Sequence, residues 1–147
     1  MFKHLLVPTD GSLLSVAALT RAVSFAKDAG ARITVLYVEP TPPAAYDGVG
    51  GLSSAHLTQD LQQRLDGLAQ EILGTAQAIG QQADVPLDTL VRVGDQPYKL
   101  IIQTAQAQDC DLIFMASHGR RGVSALLLGS ETQMVLTHSN IPVLVYR

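Results

Sequence analysis

The chain has 147 residues, 47% of them hydrophobic and 16% charged, with a formal net charge of −3. That composition is typical of a water-soluble globular chain, and 147 residues suffice for one domain, residues 1–147, with a buried core. The acidic balance offers no basic field for a nucleic acid, and the apolar runs are too short to span a membrane. The lone cysteine, Cys110, leaves no internal disulfide; with no signal-like segment after Met1, a cytoplasmic location is expected.

His4 to Val7 is a short apolar run stopped by Pro8, as for a buried strand ending in a turn. After Gly11-Ser12 the spacing of Val16, Leu19, Val23 and Ala26 becomes helical, and Gly30 closes the segment. Ile33 to Val38 is a second strand. Pro40 to Ser54, rich in Pro, Gly, Ala and Ser, predicts a long loop, either a lid over a nearby crevice or a solvated connector. Leu57, Leu61, Leu65, Leu68, Ile72, Ala76 and Ile79 then share one face of an amphipathic helix, which Gly67, Gly74 and Gly80 should bend or shorten.

Leu87 to Val93 is the third strand, and Pro97 opens a helix through Ala105. Asp111 to Met115 is the fourth strand, Ser130 to Thr137 a short helix and Pro142 to Tyr146 the fifth strand. This alternation predicts an α/β fold: an open doubly wound five-stranded parallel sheet, strand order 3-2-1-4-5, with helices on both faces. Its switch point lies between strands one and four, where such sheets bind ligands at the strands' carboxyl ends. Pro8-Thr9-Asp10-Gly11-Ser12 and the loop after Met115 would face one crevice.

Asp10 is an acceptor suited to two ribose hydroxyls, or else a turn or cap residue. Gly119 and Gly129 would let backbone approach phosphates. Ser130-Glu131-Thr132-Gln133 has a capping-box pattern, with Gln133 reaching back to Ser130, and the first-turn N–H groups would still face an anion. His118 is a candidate phosphate or loop-fixing contact, and Arg120 and Arg121 are either phosphate-neutralising or simply solvated. Leu126-Leu127-Leu128 should pack the loop onto the body. Cys110 suits a partly buried structural thiol. There is no Walker-A lysine and no Gly-x-Ser-x-Gly elbow, and the four histidines lack metal-ligand spacing.

The chain resembles the universal stress protein family, in its small single-domain, adenine-nucleotide-binding branch. The resemblance runs the whole length. It rests on Leu6-Val7-Pro8-Thr9-Asp10-Gly11-Ser12, on Val93-Gly94-Asp95, on Asn140-Ile141-Pro142-Val143-Leu144-Val145, and on Gly119, nine residues, then Gly129-Ser130. The first glycine of the family's ATP-binding signature is Ala116 here, which keeps its N–H and suffices unless a positive φ is needed.

The resemblance implies an adenine nucleotide alpha hydrolase-like fold and an adenine nucleotide as ligand: ATP, ADP or AMP, with or without Mg²⁺. Pro8 and Thr9 would contact the base side, Asp10 the ribose and Val38 the adenine. Met115, Ala116, His118 and Gly119 would line the ribose and phosphates, with Gly129, Ser130 and Thr132 on the outer phosphates. Glu131 would repel the phosphates or help hold Mg²⁺. A homodimer through the C-terminal strand is implied, and the role is that of a stress-response sensor or regulator, hydrolysing ATP slowly at most. The alternative is a member of the same fold that binds no nucleotide and acts through protein contacts.

Overall fold

The computed structural model of the chain describes residues 1–43, 51–120 and 127–147, with backbone alone at 51–54. The elements are β1 His4–Thr9, α1 Leu13–Ala29, β2 Arg32–Glu39, α2 Gly51–Ala83, β3 Leu87–Val93, α3 Pro97–Ala107, β4 Leu112–Ala116, α4 Ser130–His138 and β5 Val143–Tyr146. The strands form one parallel sheet in the order β3-β2-β1-β4-β5, as the alternation predicts. Among the described residues no helix is long and apolar enough to cross a membrane.

Alternate residues of the central strands face opposite layers. Leu5, Val7, Ile33, Val35 and Phe114 pack with Leu19, Val23, Leu73 and Ala76 of α1 and α2. Leu6, Leu36, Ile113 and Met115 pack with Ile101, Ala105 and Val135 of α3 and α4. This two-sided burial accounts for the near-continuous apolar runs of the inner strands.

β1 does not stop at Pro8. It continues through Thr9, with Pro8 opposite Leu36 and Thr9 opposite Tyr37 on β2. On its other side the β1–β4 ladder ends at Leu6–Ile113. The Asp111 N–H donates to the His4 carbonyl, so the backbone groups of His4, Leu6 and Pro8 point toward β4. Proline has no N–H to continue that ladder. Pro8 therefore ends pairing on one side only, and the gap it leaves is the switch-point crevice.

α2 corrects two expectations. It starts at Gly51, inside the stretch Pro40 to Ser54 expected to be loop, and runs 33 residues without a break at Gly67, Gly74 or Gly80. Each helical glycine costs about 1 kcal/mol. Burial of Ala69, Ile72, Leu73 and Ala76 against the sheet outweighs that cost. The centre of the expected lid, residues 44–50, lies outside the described residues.

Candidate nucleotide-binding crevice

Two loops meet at the gap beside Pro8. The first turns at Gly11, whose φ of +76° favours glycine, and a Cβ there would stand 2.8 Å from Cγ1 of Ile72 on α2. Ser12 caps α1, its side chain accepting from the Ser15 N–H at 3.2 Å. The buried Thr9 hydroxyl lies 3.0 Å from that of Ser15, which donates to the Ser12 carbonyl at 2.9 Å. Thr9 is thus spent on holding the turn, while Pro8 stands half-buried beside the crevice.

Asp10 fulfils its local role and reaches further. Oδ1 accepts the Ser12 N–H at 2.9 Å, an Asx turn, and Oδ2 accepts the Arg120 N–H at 2.8 Å. Burial works against the Asp10 carboxylate. The Ser12 hydroxyl and N–H, the Arg120 N–H and the Ser15 hydroxyl overcome that and hold its pKa below the ordinary value. The crevice therefore contains a firmly ionised acceptor.

The second loop leaves β4 after Ala116, which is paired with Tyr146 of β5. Among the described residues the only non-glycine positive φ values are at Asp84 and Asp109, so alanine at 116 carries no strain. Met115 and Ala116 are buried. His118 Nδ1 lies 3.1 Å from the Ser117 hydroxyl, which fixes the ring beside the strand end.

Both loop glycines are required by close approach. A Cβ on Gly119 would collide with Oδ2 of Asp10, and one on Gly129 would stand 3.1 Å from the His118 Cα. Gly129 donates its N–H to the Ser117 carbonyl at 2.8 Å, closing the loop at its base.

α4 starts where its predicted cap does not. Gly129, not Ser130, is the N-cap, and it makes no side-chain cap bond; Gln133 Nε2 donates instead to the Leu128 carbonyl at 2.9 Å. The first intrahelical bond runs from the Gln133 N–H to the Gly129 carbonyl. The preceding N–H groups, of Ser130, Glu131 and Thr132, form the open positive end of the helix. The Thr132 hydroxyl turns inward, 3.1 Å from both the Ala116 and the Ser117 carbonyls, and pins α4 to β4.

Glu131 points to a different element. Its Oε2 accepts the Tyr98 N–H at 2.8 Å, capping α3, whose own N-cap residue Gln96 makes no side-chain bond. Leu127 is 60% exposed and does not pack inward as expected. Leu126 and Arg121 lie outside the described residues.

Arg120 is more than a solvated loop residue. Its guanidinium folds back so that Nη2 would be 3.1 Å from a Gly11 Cβ, spanning the crevice. Its charge is also felt at Tyr37, whose hydroxyl pKa is raised by burial and by Glu39 and lowered in part by Arg120. Sequence alone gave no sign of this direction, because a loop arginine carries no periodicity. Val38, half-buried at the end of β2, lies on the α3 face with Leu36. Cys110 is buried, 6% exposed, and burial pushes its thiol to about 11.

The comparisons agree with this architecture. A family model described as the Universal stress protein family matches residues 1–147. A universal stress protein of Thermus aquaticus is 31% identical, with all of both chains covered. The universal stress protein MJ0531 of Methanocaldococcus jannaschii is 30% identical over all of this chain and 83% of its own.

Among solved structures, the universal stress protein UspA from Lactobacillus plantarum superposes with a TM-score of 0.79 at 26% identity, covering 99% of this chain and 98% of its own. A universal stress protein in complex with cAMP shares the fold at a TM-score of 0.73 and 23% identity, covering 99% of this chain and 97% of its own. The universal stress protein from Archaeoglobus fulgidus in complex with dAMP does so at 0.64 and 18%, covering 100% and 98%. With the whole length matched and the sheet order, turn and strand-end loop in place, the chain belongs to the universal stress protein family.

Proposed function

We propose that the protein binds an adenine nucleotide, ATP, ADP or AMP, in the crevice between β1 and β4, and acts as a stress-response sensor or regulator. The observation that carries this reading is the meeting of Asp10, Gly119 and the open N-terminus of α4 at one gap in the sheet. An ionised acceptor suits ribose hydroxyls, and a helix N-terminus suits phosphate oxygens. The complexes of related folds with cAMP and dAMP support the ligand class.

In this reading Pro8 and Val38 border the base, Asp10 takes the ribose, and Met115, Ala116, His118 and Gly119 wall the sugar and first phosphate. Ser130, Glu131 and Thr132 meet the outer phosphates through backbone N–H groups, Gly129 lets them approach by having no side chain, and Thr9 supports the turn. Among the described residues no three acidic, histidine or cysteine side chains gather to hold a metal. Any Mg²⁺ would therefore be held chiefly by the nucleotide.

The exposed edge of β5 suits pairing with a second copy about a two-fold axis, giving a homodimer. The protein is assigned to the cytoplasm, on its single buried thiol.

Calorimetry of nucleotide-free protein with AMP and ATP tests the reading. Saturable binding is expected, and no binding at millimolar nucleotide would overturn it. The Asp10–Arg120 bond favours a second reading, in which the occupied carboxylate leaves a closed crevice and the protein works through protein contacts alone. Mass spectrometry of small molecules released from freshly purified protein separates the two.

A further inference from the structure

Glu39, the last residue of β2, is 2% exposed, and among the described residues no cation pairs with it. Its Oε1 accepts one long bond, 3.3 Å from Gln62 Nε2, and that same nitrogen donates to Asp66 Oδ1 at 2.9 Å. Among the described residues the Glu39 carboxylate therefore carries its charge with no cation beside it.

It opens into a groove of about 600 Å³ between α2 and the edge strand β3. None of the groove's residues belongs to the crevice beside Pro8. Glu39 and Asp66 form one end, Ala69, Leu73 and Val91 an apolar floor, and Thr89 with Gln77 the other end, where Gln77 Nε2 lies 3.4 Å from the Thr89 hydroxyl.

Thr89 is in register with Val35 and Val93 with Glu39, so the two ends stand four residues apart along the sheet, roughly 13 Å at the rise of a strand. A metal ion does not fit this shape, since among the described residues no three ligating side chains converge. An ammonium on a methylene chain does. The cation answers the unpaired carboxylates, the methylenes lie on the apolar floor, and a second nitrogen reaches the hydroxyl and amide oxygens.

We propose that this groove binds a linear aliphatic polyamine, its charged end held by Glu39 and Asp66. Calorimetric titration at low salt with spermidine, n-butylamine and Mg²⁺ tests it. Spermidine should bind saturably at one site, about 10-fold more tightly than n-butylamine, and Glu39→Gln should weaken it by about 10-fold or more.

A Cβ at Gly74 meets nothing within 4 Å, and Gly74 lines the groove, so Gly74→Leu directs a larger side chain into it. That variant should lose spermidine binding while its Tm stays at or above that of the parent. The proposal is overturned if spermidine fails to saturate at millimolar concentration, if Glu39→Gln and Gly74→Leu both bind it unchanged, or if Mg²⁺ binds there more tightly.

Discussion

Asp10 and Arg120 are 110 positions apart in sequence, yet the carboxylate of one accepts the backbone N–H of the other at 2.8 Å. The bond crosses the one place in the sheet where neighbouring strands have stopped pairing. It replaces a missing ladder with a single side chain, and it makes Asp10 both a structural tie and the strongest acceptor in the crevice.

Asp10→Asn should therefore act twice. Replacing a charged acceptor removes a charge-assisted bond, at a cost to stability of about 1–2 kcal/mol. The loss of the anion should also weaken AMP binding by about 10-fold. Denaturant unfolding and calorimetry on the same preparation measure the two effects. Unchanged AMP affinity would remove Asp10 from the ribose site while leaving its role as a tie intact.

The two loop glycines should tolerate alanine poorly, for reasons unrelated to phosphate approach. Gly119→Ala places a methyl on Asp10 Oδ2, and Gly129→Ala places one 3.1 Å from the His118 Cα. Each should destabilise by about 1–3 kcal/mol, as overpacking does. Gly67→Ala is the control, since its Cβ meets nothing within 4 Å and should raise stability by about 0.5–1 kcal/mol. Thermal unfolding that ranks Gly119→Ala with Gly67→Ala would refute the packing argument.

Glu131 separates a cap from a ligand contact. Its carboxylate takes the Tyr98 N–H at the start of α3, where it also meets the positive end of that helix. Glu131→Gln should lower stability by about 1 kcal/mol. AMP affinity should stay within about two-fold, because the proposed contact at this position uses the backbone N–H. A gain in ATP affinity of 10-fold or more would mean that the carboxylate faces the phosphates after all.

The layered fold was legible because it depends on patterns that sequence carries directly. Apolar strand runs alternating with helical spacing require a parallel sheet, and the order β3-β2-β1-β4-β5 follows from chain handedness. Local rules failed where a distant partner decided the outcome. Gly67 and Gly74 do not break α2, because its other face is buried against the sheet, and Gly80 is itself buried where a Cβ would stand 2.9 Å from Leu87. Ser130 looks like a cap, but the Ser117 carbonyl holds Gly129 in that position. The candidate site residues come from motifs, and motifs do not show which of their side chains the scaffold uses. Thr9, Thr132 and Glu131 spend their side chains on the scaffold, and Arg120 folds back toward Gly11, because partners brought in by the fold from other elements leave no trace in spacing.

Acid should destabilise the protein in two separate steps. His4, 3% exposed, bonds through Nε2 to the Thr34 hydroxyl at 2.8 Å, and among the described residues no group meets its Nδ1 in good hydrogen-bond geometry. Burial first and the Arg32 charge second lower its pKa from the ordinary 6.5; the Gln108 carbonyl, Asp111 and Asp88 oppose this without prevailing. The unfolded chain therefore binds a proton that the folded one refuses, and stability falls as pH drops below 6.5, until the folded ring also titrates. One such proton gives a slope of at most about 1.4 kcal/mol per pH unit. Asp10 is also lowered, from 3.8, so its contribution is complete above that value and is lost as pH falls through the lower folded pKa. Unfolding free energies measured between pH 3 and 8, roughly the span of both ordinary pKa values, should show the two declines apart. His4→Gln should flatten the first and leave the second, and Asp10→Asn should do the reverse. A single decline insensitive to His4→Gln would show that the imidazole binds its proton equally well in the folded and unfolded chain.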